Sequence, residues 1–412
     1  MQVVHERCCG LDVHKKSVVA CILLTEPNGS LHRQVRSFGT TTEDLLTLSD
    51  WLDELRVTHI ALESTGVYWR PVFNLLEAEA RTIVLVNPQH MKAVPGRKTD
   101  VKDSEWLADL LRHGLVRASF IPPAPIRELR ELTRYRKTLV RERGQETQRI
   151  QKLLESANIK LSAVASNILG ASGRDILQAI RDGQDDPHAL AELARGKLRA
   201  KLPALRQALA GRVQPHHRVL LGELLAHITY LDESIARLQE EIERRLAPFA
   251  EEVALLETIP GISRTAAATI IAEIGVDMSR FPSGRHLASW AGVCPGNRQS
   301  GGKRLSGKPT KGNVWLRAVL GEVAWAAART RDTYLHAQFE RLAKRRGRKR
   351  AIVAVGHTIL LSAFYLLRTR RPYTDLGLDY FDSQDIDRVT HYHTQRLSQL
   401  GYEVTLKPKD AA

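Results

Sequence analysis

Two apolar segments near the start of the chain decide its fold: Cys8-Cys9-Gly10-Leu11-Asp12-Val13 and Ser17-Val18-Val19-Ala20-Cys21-Ile22-Leu23-Leu24. Each predicts a strand. The turn residues of 27–30 follow, and a third strand is expected near 34–38. Three strands joined by short turns predict an antiparallel meander.

After the meander, helical and strand patterns alternate. Residues 42–55 predict a helix, because four leucines fall on one face. Further elements are expected as a strand at 59–63, a helix at 68–80, a strand at 82–86 and a helix at 100–112. The order βββαβαβα is typical of the ribonuclease-H-like α/β fold with a mixed sheet, and we expect that fold for residues 1–122.

Residues 123–250 predict helices only. The apolar residues of the last predicted helix step by three and four without a break, which predicts a coiled-coil seam. The partner helix is either the upstream helix at 127–156 or another protomer, and a hairpin packed within its own domain is the alternative. Residues 161–214 predict helix without indicating a role. The seam comprises Leu221, Leu224, Ile228, Leu231, Ile235, Leu238 and Ile242.

Residues 251–372 predict a third unit, mostly α-helical, and the tail at 373–412 indicates no role. The unit opens with Ile259-Pro260-Gly261-Ile262-Ser263, which is similar to a helix-hairpin-helix whose backbone N–H groups grip phosphate. A plain helical corner is the alternative, and by itself the segment favours that alternative. The apolar run at 351–367 is short and interrupted, so it predicts a buried helix rather than a membrane span.

Composition limits the class of protein. The chain has 412 residues, with 61 Lys and Arg against 46 Asp and Glu, a net charge of +15. This excess predicts a polyanionic partner, either nucleic acid or an acidic membrane surface. With 43% hydrophobic and 26% charged residues, a disordered or collagen-like chain is excluded. Four cysteines indicate neither a disulfide framework nor a zinc site, and with no apolar signal region we expect a cytoplasmic protein.

Four carboxylates predict a metal site: Asp12, Glu63, Asp100 and Asp103. Asp12 and Glu63 end two strands that are expected to be parallel neighbours, and the other two are spaced i, i+3 on the following helix. Converging carboxylates suit Mg²⁺ in phosphoryl transfer. Singly, each has another explanation, such as a helix cap or a surface residue; the set of four favours the metal.

A second candidate site is an acid-free window of 44 residues between Asp277 and Glu322. The absence of acidic side chains from such a window indicates that it lies near a polyanion. A serine or threonine hydroxyl among its cations could attack a phosphorus atom, because the cations would stabilise the negative charge that develops. A nucleotide-binding loop is excluded, because Pro309 stands where its Ser or Thr is required. Composition alone favours a flexible basic loop. The candidate nucleic-acid-binding residues are Arg298, Lys303, Arg304, Lys308, Lys311 and Arg317.

Several motifs together resemble one class of bacterial insertion-sequence transposases. They are Gly-Leu-Asp12-Val-His-Lys, Leu-Glu63-Ser-Thr-Gly and Arg-Lys-Thr-Asp100-Val-Lys-Asp103, followed by Gln-Ser300-Gly-Gly-Lys and Thr-Lys311-Gly-Asn. The resemblance covers about 5–120 and 253–370. It implies an N-terminal Holliday-junction-resolvase-like domain with an Asp-Glu-Asp-Asp set, and a C-terminal serine transposase domain.

The resemblance also implies an activity. Members are similar to recombinases in which a structured noncoding "bridge" RNA pairs with donor and target DNA. A covalent phosphoserine intermediate is implied, with Ser300 as nucleophile and Ser306 as fallback, beside a carboxylate site that binds Mg²⁺. The active site is then shared between protomers of a homo-oligomer, a dimer or a tetramer.

Two other classes stay open. One is a metal-dependent endonuclease that cuts branched DNA with the carboxylates alone. The other is a catalytically silent nucleic-acid-binding assembly factor. The basic cluster at 341–350 is typical of a solvated patch or a nonspecific phosphate contact, and it indicates no chemistry.

Overall fold

The computed structural model describes residues 2–63, 66–77, 81–86, 100–296, 298–307, 309 and 311–407. For 100–101, 298–300 and 304–306 it describes the backbone alone. The chain forms two compact units, residues 1–121 and 122–412, and each is described by itself.

The first unit is a five-stranded mixed sheet with helices on both faces. The strand order is β3-β2-β1-β4-β5, with β1 antiparallel to β2 and parallel to β4. The predicted mixed sheet is therefore confirmed. The described elements are β1 (Arg7–Val13), β2 (Val18–Thr25), β3 (Leu31–Phe38), α1 (Thr42–Glu54), β4 (His59–Glu63), α2 (Trp69–Leu76), β5 (Thr82–Val86) and α3 (Asp100–Arg112).

The two faces of β1 contact different helices, because successive side chains of a strand point to opposite sides. Cys9 and Leu11 pack in one apolar cluster with α1 and α2. Cys8 packs in a second cluster with Ala61 of β4 and Leu107 of α3. Burial on both faces explains why β1 and β2 form nearly continuous apolar runs rather than alternating ones.

Two elements differ from their predicted bounds. Strand β3 begins at Leu31, three residues before the predicted start, and most of its side chains are exposed. It is an edge strand, so its polar sequence lacks the apolar signal that marks β1 and β2. Helix α2 spans Trp69–Leu76, shorter than the predicted 68–80, and 78–80 lie outside the described residues.

The second unit is helical apart from one β-hairpin. Its α-helices are α4 (Ala124–Ser156), α5 (Leu161–Val164), α6 (Ala171–Arg181), α7 (Pro187–Glu192), α8 (Leu202–Leu209), α9 (Pro215–Leu246), α10 (Ala250–Glu257), α11 (Arg264–Ile274), α12 (Gly284–Ala291), α13 (Val314–Ala327), α14 (Tyr334–Arg346), α15 (Arg348–Thr369), α16 (Tyr380–Ser383) and α17 (Ile386–Gln399). The hairpin strands are β6 (Arg298–Ser300) and β7 (Lys303–Ser306).

The long helices α4 and α9 pack side by side in opposite directions. Ion pairs join Arg143 to Asp232 and Arg245 to Glu128, so the end of one helix meets the start of the other. Of the predicted seam, Leu221, Ile228, Leu231 and Ile242 are buried, whereas the other three are half-buried. The upstream helix of the same chain is thus a partner of this seam.

Residues 161–214, for which the sequence indicated no role, form a small helical module together with 157–160. Ile176, Leu177, Leu190 and Leu205 are buried in a core that also includes Ile150 of α4 and residues of α9. The module therefore packs against one end of the α4–α9 pair. Because it is built of helices packed on helices, its sequence has no strand signals.

Helix α15 contains the apolar run that was predicted to be buried. Among the described residues it is the one helix long and apolar enough to cross a membrane, and 56% of its most apolar stretch is buried inside the protein. Ile359, Leu360 and Phe364 are fully buried. A helix buried in a protein core can be as long and as apolar as a membrane span, so length and composition do not make α15 a membrane span.

Candidate active site and nucleic-acid interface

Asp12 lies on β1, near the strand's carboxyl end. It is 8% exposed, one of the few buried acidic residues among those described. Its Oδ2 is 3.1 Å from Nε2 of His14. Asp12 is two residues beyond Gly10, so it is on the face of the sheet that α3 covers.

Glu63 is the neighbour of Asp12 on the parallel strand β4. Leu11 pairs with Leu62, so the next residues on the two strands, Asp12 and Glu63, stand side by side. Neighbouring strands are about 4.8 Å apart. Ala61 packs on α3, and Glu63, two residues later, shares that face. The predicted convergence of these two strand ends is therefore present, with Glu63 half-buried.

The backbone of α3 runs past this pair of carboxylates. Cys8 Sγ lies 3.5 Å from the carbonyl oxygen of Ala108, and Gly10 contacts Ser104. The strand and the helix thus run in opposite directions. A step of two residues on β1, about 6.6 Å long, matches a step of four residues on α3, about 6.0 Å long. Two residues beyond Gly10 on the strand is Asp12, and four residues before Ser104 on the helix is residue 100. The start of α3 thus lies at the level of Asp12.

Whether these residues suit a metal ion depends on the oxygen ligands that they can supply. Asp12 and Glu63 are neighbouring carboxylates at one strand end, and Asp103, half-buried, precedes the residue that touches Gly10. Hard carboxylate oxygens suit Mg²⁺. Among the side chains that the structure describes, no three His, Cys, Asp or Glu gather closely enough to hold a metal, and the Asp100 side chain lies outside them.

Ser300 is the last residue of β6, directly before the hairpin turn. It pairs with Lys303, and the two-residue turn Gly301-Gly302 has φ values of 54° and 75°. Positive φ at both turn residues is typical of a type I′ turn and favours glycine. A Cβ atom at either glycine would meet no atom within 4 Å, so the tip projects from the protein. Ser306 pairs with Arg298 at the other end of the hairpin.

The hairpin was not predicted, and its strands are polar and short. The predicted cationic residues lie along it and beyond it. Lys303, Lys311 and Arg317 are exposed, Arg298 and Arg304 are on the two strands, and Lys308 lies outside the described residues.

A buried anchor follows the hairpin, and sequence reasoning missed it. Asn313 caps α13 through its side-chain oxygen and donates its amide N–H to Oε2 of Glu273, 2.6 Å away. Glu273 is fully buried and accepts two hydrogen bonds of 2.7 Å from Arg134. A Cβ at Gly312 would lie 2.2 Å from the Ala291 backbone. This close packing holds the end of the segment that carries the hairpin.

The Pro-Gly corner packs as part of the core. Gly261 has φ of 90°, and a Cβ there would lie 2.6 Å from the amide nitrogen of Ala327 on α13. Ser263 caps α11 by accepting a hydrogen bond from the Ala266 amide. Close approach to α13 accounts for this glycine without a bound phosphate.

The basic cluster lies where α14 ends and α15 begins. The residues of 344–350 are exposed. The guanidinium of Arg348 is 5.5 Å from the Trp325 ring and 5.9 Å from the Phe339 ring. The cluster is therefore a solvated cationic surface with one arginine held by aromatic contacts.

Two family models match the chain in the same order as the two candidate sites. A DEDD "Transposase" model of the IS110 group matches 9–159. A model described as "Transposase IS116/IS110/IS902 family" matches 253–340. Together they cover more than half of the chain. The chain belongs to the IS110/IS116/IS902 transposase family.

Curated relatives of this transposase extend over most of its length. A "probable family 20 transposase" of Pseudomonas aeruginosa is 28% identical over 284 residues, 68% of this chain and 74% of the relative. The "pilin gene-inverting protein" of Moraxella bovis is 23% identical over 383 residues, 88% and 96% of the two chains. An uncharacterized insertion element IS116 protein of Streptomyces clavuligerus is 28% identical over 333 residues.

The family matches fall on both candidate sites of the transposase. The first includes Asp12, Glu63 and all of α3, and the second includes the hairpin with Ser300. Residues 160–252, which include most of the helical module and all of α9, lie between the two matches.

Proposed function

We propose that this transposase is a DNA recombinase that cuts and rejoins strands, using carboxylates that bind Mg²⁺ and a serine nucleophile. The observation that carries the proposal is the side-by-side placement of Asp12 and Glu63 at the start of α3. Unneutralised, such carboxylates repel one another, so a bound cation explains their grouping.

Asp12, Glu63, Asp100 and Asp103 would hold the metal in this proposal. Bound Mg²⁺ supplies charge stabilisation to a phosphodiester in transfer. The buried strand fixes Asp12, and the contact of Gly10 with Ser104 fixes the helix that carries the other two aspartates. The pair needs this rigidity, because phosphoryl transfer depends on positioning within fractions of an ångström.

Ser300 is the proposed nucleophile. Its oxygen forms a bond to the DNA phosphorus, the bond from phosphorus to one deoxyribose oxygen breaks, and that oxygen takes up a proton. In rejoining, a deoxyribose hydroxyl of the new partner strand attacks the phosphoserine and the serine leaves. Phosphodiester energy is conserved, so no nucleotide cofactor is needed. The cations of the segment stabilise the charge that develops on phosphorus.

The hairpin favours Ser300 over Ser306. The backbone places Ser300 beside a projecting turn that has open space around both glycines, whereas Ser306 is at the other end of the hairpin. A nucleophile for a large polymeric substrate needs that access.

Guidance by a noncoding RNA and assembly into a dimer or tetramer belong to the same proposal. Their support is the resemblance of the motifs together with the excess of positive charge, which suits two nucleic acids. The Moraxella relative is named for inverting a gene. Inversion requires rejoining as well as cutting, which supports a recombinase for this chain too. Such an enzyme acts on DNA in the cytoplasm.

A branched-DNA endonuclease is the second candidate function. It is favoured by the fact that the described carboxylates belong to one compact unit, residues 1–121, which does not include Ser300. In that case water rather than serine attacks the phosphodiester, and the carboxylates suffice.

One experiment separates the two functions. Purified protein, Mg²⁺, a DNA carrying the element junction and the RNA transcribed beside the gene are combined, and covalent protein–DNA adducts are measured after denaturation. We expect the adduct with wild type and with Ser306→Ala, and none with Ser300→Ala. Cleavage by Ser300→Ala at the wild-type rate would establish the endonuclease instead. Asp12→Asn should abolish cleavage in either case, and the absence of any cleavage by wild type would refute both functions.

A further inference from the structure

The second unit contains a cavity that neither candidate site uses. It has a volume of about 390 Å³ and lies between α4, α9, α11 and α13. Its walls are mainly apolar, with Val140, Ile242, Ala266 and Val319 among them. Cavities of this size accept small ligands or single residues of a polymer.

One cation on the cavity wall has no partner. The Nε atom of Arg136 is buried and makes no hydrogen bond, and no ion pair of Arg136 occurs within the part of the chain that the structure describes. Burial lowers the pKa of this guanidinium. The neighbouring cations on α4 are paired, Arg134 with Glu273 and Lys137 with Glu322. A buried Nε donor without an acceptor, on a half-buried guanidinium, is unfavourable and is stabilised by an anion.

An acceptor on the same wall is also unpaired. Gln239 donates its amide N–H to Oε1 of Glu243 at 2.8 Å. Because a carboxylate only accepts, this bond fixes the orientation of the amide group. The carbonyl oxygen of Gln239 is buried and accepts no hydrogen bond. The cavity thus offers a charged donor and a neutral acceptor, which fit a ligand that has an anionic group and a separate donor.

An aromatic ring completes the wall. Trp315 lines the cavity, and the guanidinium of Arg134 lies 5.7 Å from its ring centroid. Trp315 is four residues beyond Lys311, at the start of α13, and lies within the acid-free window that also contains the hairpin. Aromatic rings beside cations are typical of sites that bind single-stranded nucleic acid by stacking its bases.

We propose that this cavity takes one unpaired nucleotide of a bound nucleic-acid strand. The phosphate lies on Arg136, a donor on the base meets the Gln239 oxygen, and the base packs on the apolar wall beside Trp315. The proposal rests on the function proposed above, because that function requires the protein to bind a nucleic-acid strand. DNA and RNA share the chemistry, and the two probes below distinguish them.

The test uses the full chain and fluorescence anisotropy. Labelled single strands of about 12 nucleotides, one DNA and one RNA of the same sequence, are compared with the matching DNA duplex. The variants are Arg136→Gln, which removes the unpaired charge, and Val140→Phe, which enlarges an exposed apolar side chain at the edge of the cavity without changing charge. Arg141→Gln is the matched control, because Arg141 is exposed, lies on the same helix and does not line the cavity.

We expect Arg136→Gln and Val140→Phe to weaken single-strand binding by about tenfold or more, and Arg141→Gln by less than about twofold. In Arg136→Gln the slope of log affinity against log salt should fall by about 0.7, the value for one phosphate of a single strand. Whichever probe loses more affinity identifies the strand that enters.

Three results would overturn the inference. They are equal affinities for Arg136→Gln and Arg141→Gln, wild-type affinity in Val140→Phe, and an equal loss for the duplex, whose bases are all paired. Circular dichroism would show whether Arg136→Gln folds. If it does not, the binding measured with Val140→Phe tests the cavity by itself. A wild-type protein that binds none of the probes would refute the proposed function itself, whereas binding that is insensitive to both variants refutes this site alone.

Discussion

Gly10→Ala should separate α3 from β1 and so damage the proposed metal site without changing a carboxylate. A Cβ at Gly10 would lie 2.2 Å from the carbonyl oxygen of Ser104, 2.5 Å from the amide nitrogen of Ala108 and 2.9 Å from Leu107 Cβ. Normal contacts need about 3.2 Å or more, so the helix must move by about 1 Å. Two of the three close atoms belong to backbone, which no side-chain rotation can relieve.

The cost follows from this overlap. Overpacking of a core typically costs 1–3 kcal/mol, and we expect about 3 kcal/mol here because backbone is involved. For a unit of this size that lowers its melting temperature by about 10 °C. A displacement of about 1 Å in a catalytic group costs about 100-fold in rate. We therefore expect strand cleavage to fall about 100-fold even at temperatures where the variant is folded.

The assays are differential scanning calorimetry of the full chain and Mg²⁺-dependent cleavage of junction DNA. Gly144→Ala is the matched control, because Gly144 lies within α4 with nothing within 4 Å of its Cβ position. Alanine there should stabilise the second unit by up to about 1 kcal/mol, since it restricts the unfolded chain. A Gly10→Ala protein with wild-type melting and wild-type cleavage would refute the account of the β1–α3 contact.

Three further predictions concern other residues. Glu273→Gln should destabilise the second unit by about 3 kcal/mol in chemical denaturation, because it removes the buried charge that faces the half-buried guanidinium of Arg134, whereas Glu322→Gln, at an exposed ion pair, should cost less than about 1 kcal/mol. Gly302→Val should reduce adduct formation at Ser300 while leaving melting within about 2 °C, because a β-branched residue disfavours the positive φ of an exposed turn; unchanged adduct yield would contradict the hairpin's role. Burial raises the pKa of Cys8 and of Cys21 to about 12, so both stay protonated at pH 8 and iodoacetamide should modify the more accessible Cys294 first, as peptide mass spectrometry would show; prior modification of Cys8 would contradict its burial.

The sheet and its carboxylates were predictable because their signals are local. Strands β1 and β2 are buried on both faces, so their sequences are apolar runs that stop at turns. Asp12 and Glu63 follow from the rule that parallel neighbours end together, once β1 and β4 are assigned as neighbours. The contact of Gly10 with Ser104 was not predictable, because it depends on how closely a helix 94 residues away approaches the strand.

The hairpin that carries Ser300 was missed for a physical reason. Its strands hold three and four residues and are mainly polar, so neither burial nor alternation marks them. The Gly301-Gly302 pair is a known signal for a two-residue turn, but the composition of the window favoured a flexible basic loop. Glu273 was missed as well, because a carboxylate in an apolar helix is stabilised here by Arg130, Arg134 and Asn313, which are distant in sequence.

These two cases show where the chemistry of this transposase is encoded. The carboxylates are held by the hydrophobic core of a sheet, so their positions depend on packing that many residues share. Ser300 directly precedes an exposed turn, and the close contacts of Gly312 and Asn313 lie at the end of its segment. If Ser300 is the nucleophile, as proposed, its orientation comes in part from the bound nucleic acid. In the proposed mechanism, a strand held by the cations on either side of the hairpin would supply that restraint, and the excess of positive charge would serve catalysis as well as affinity.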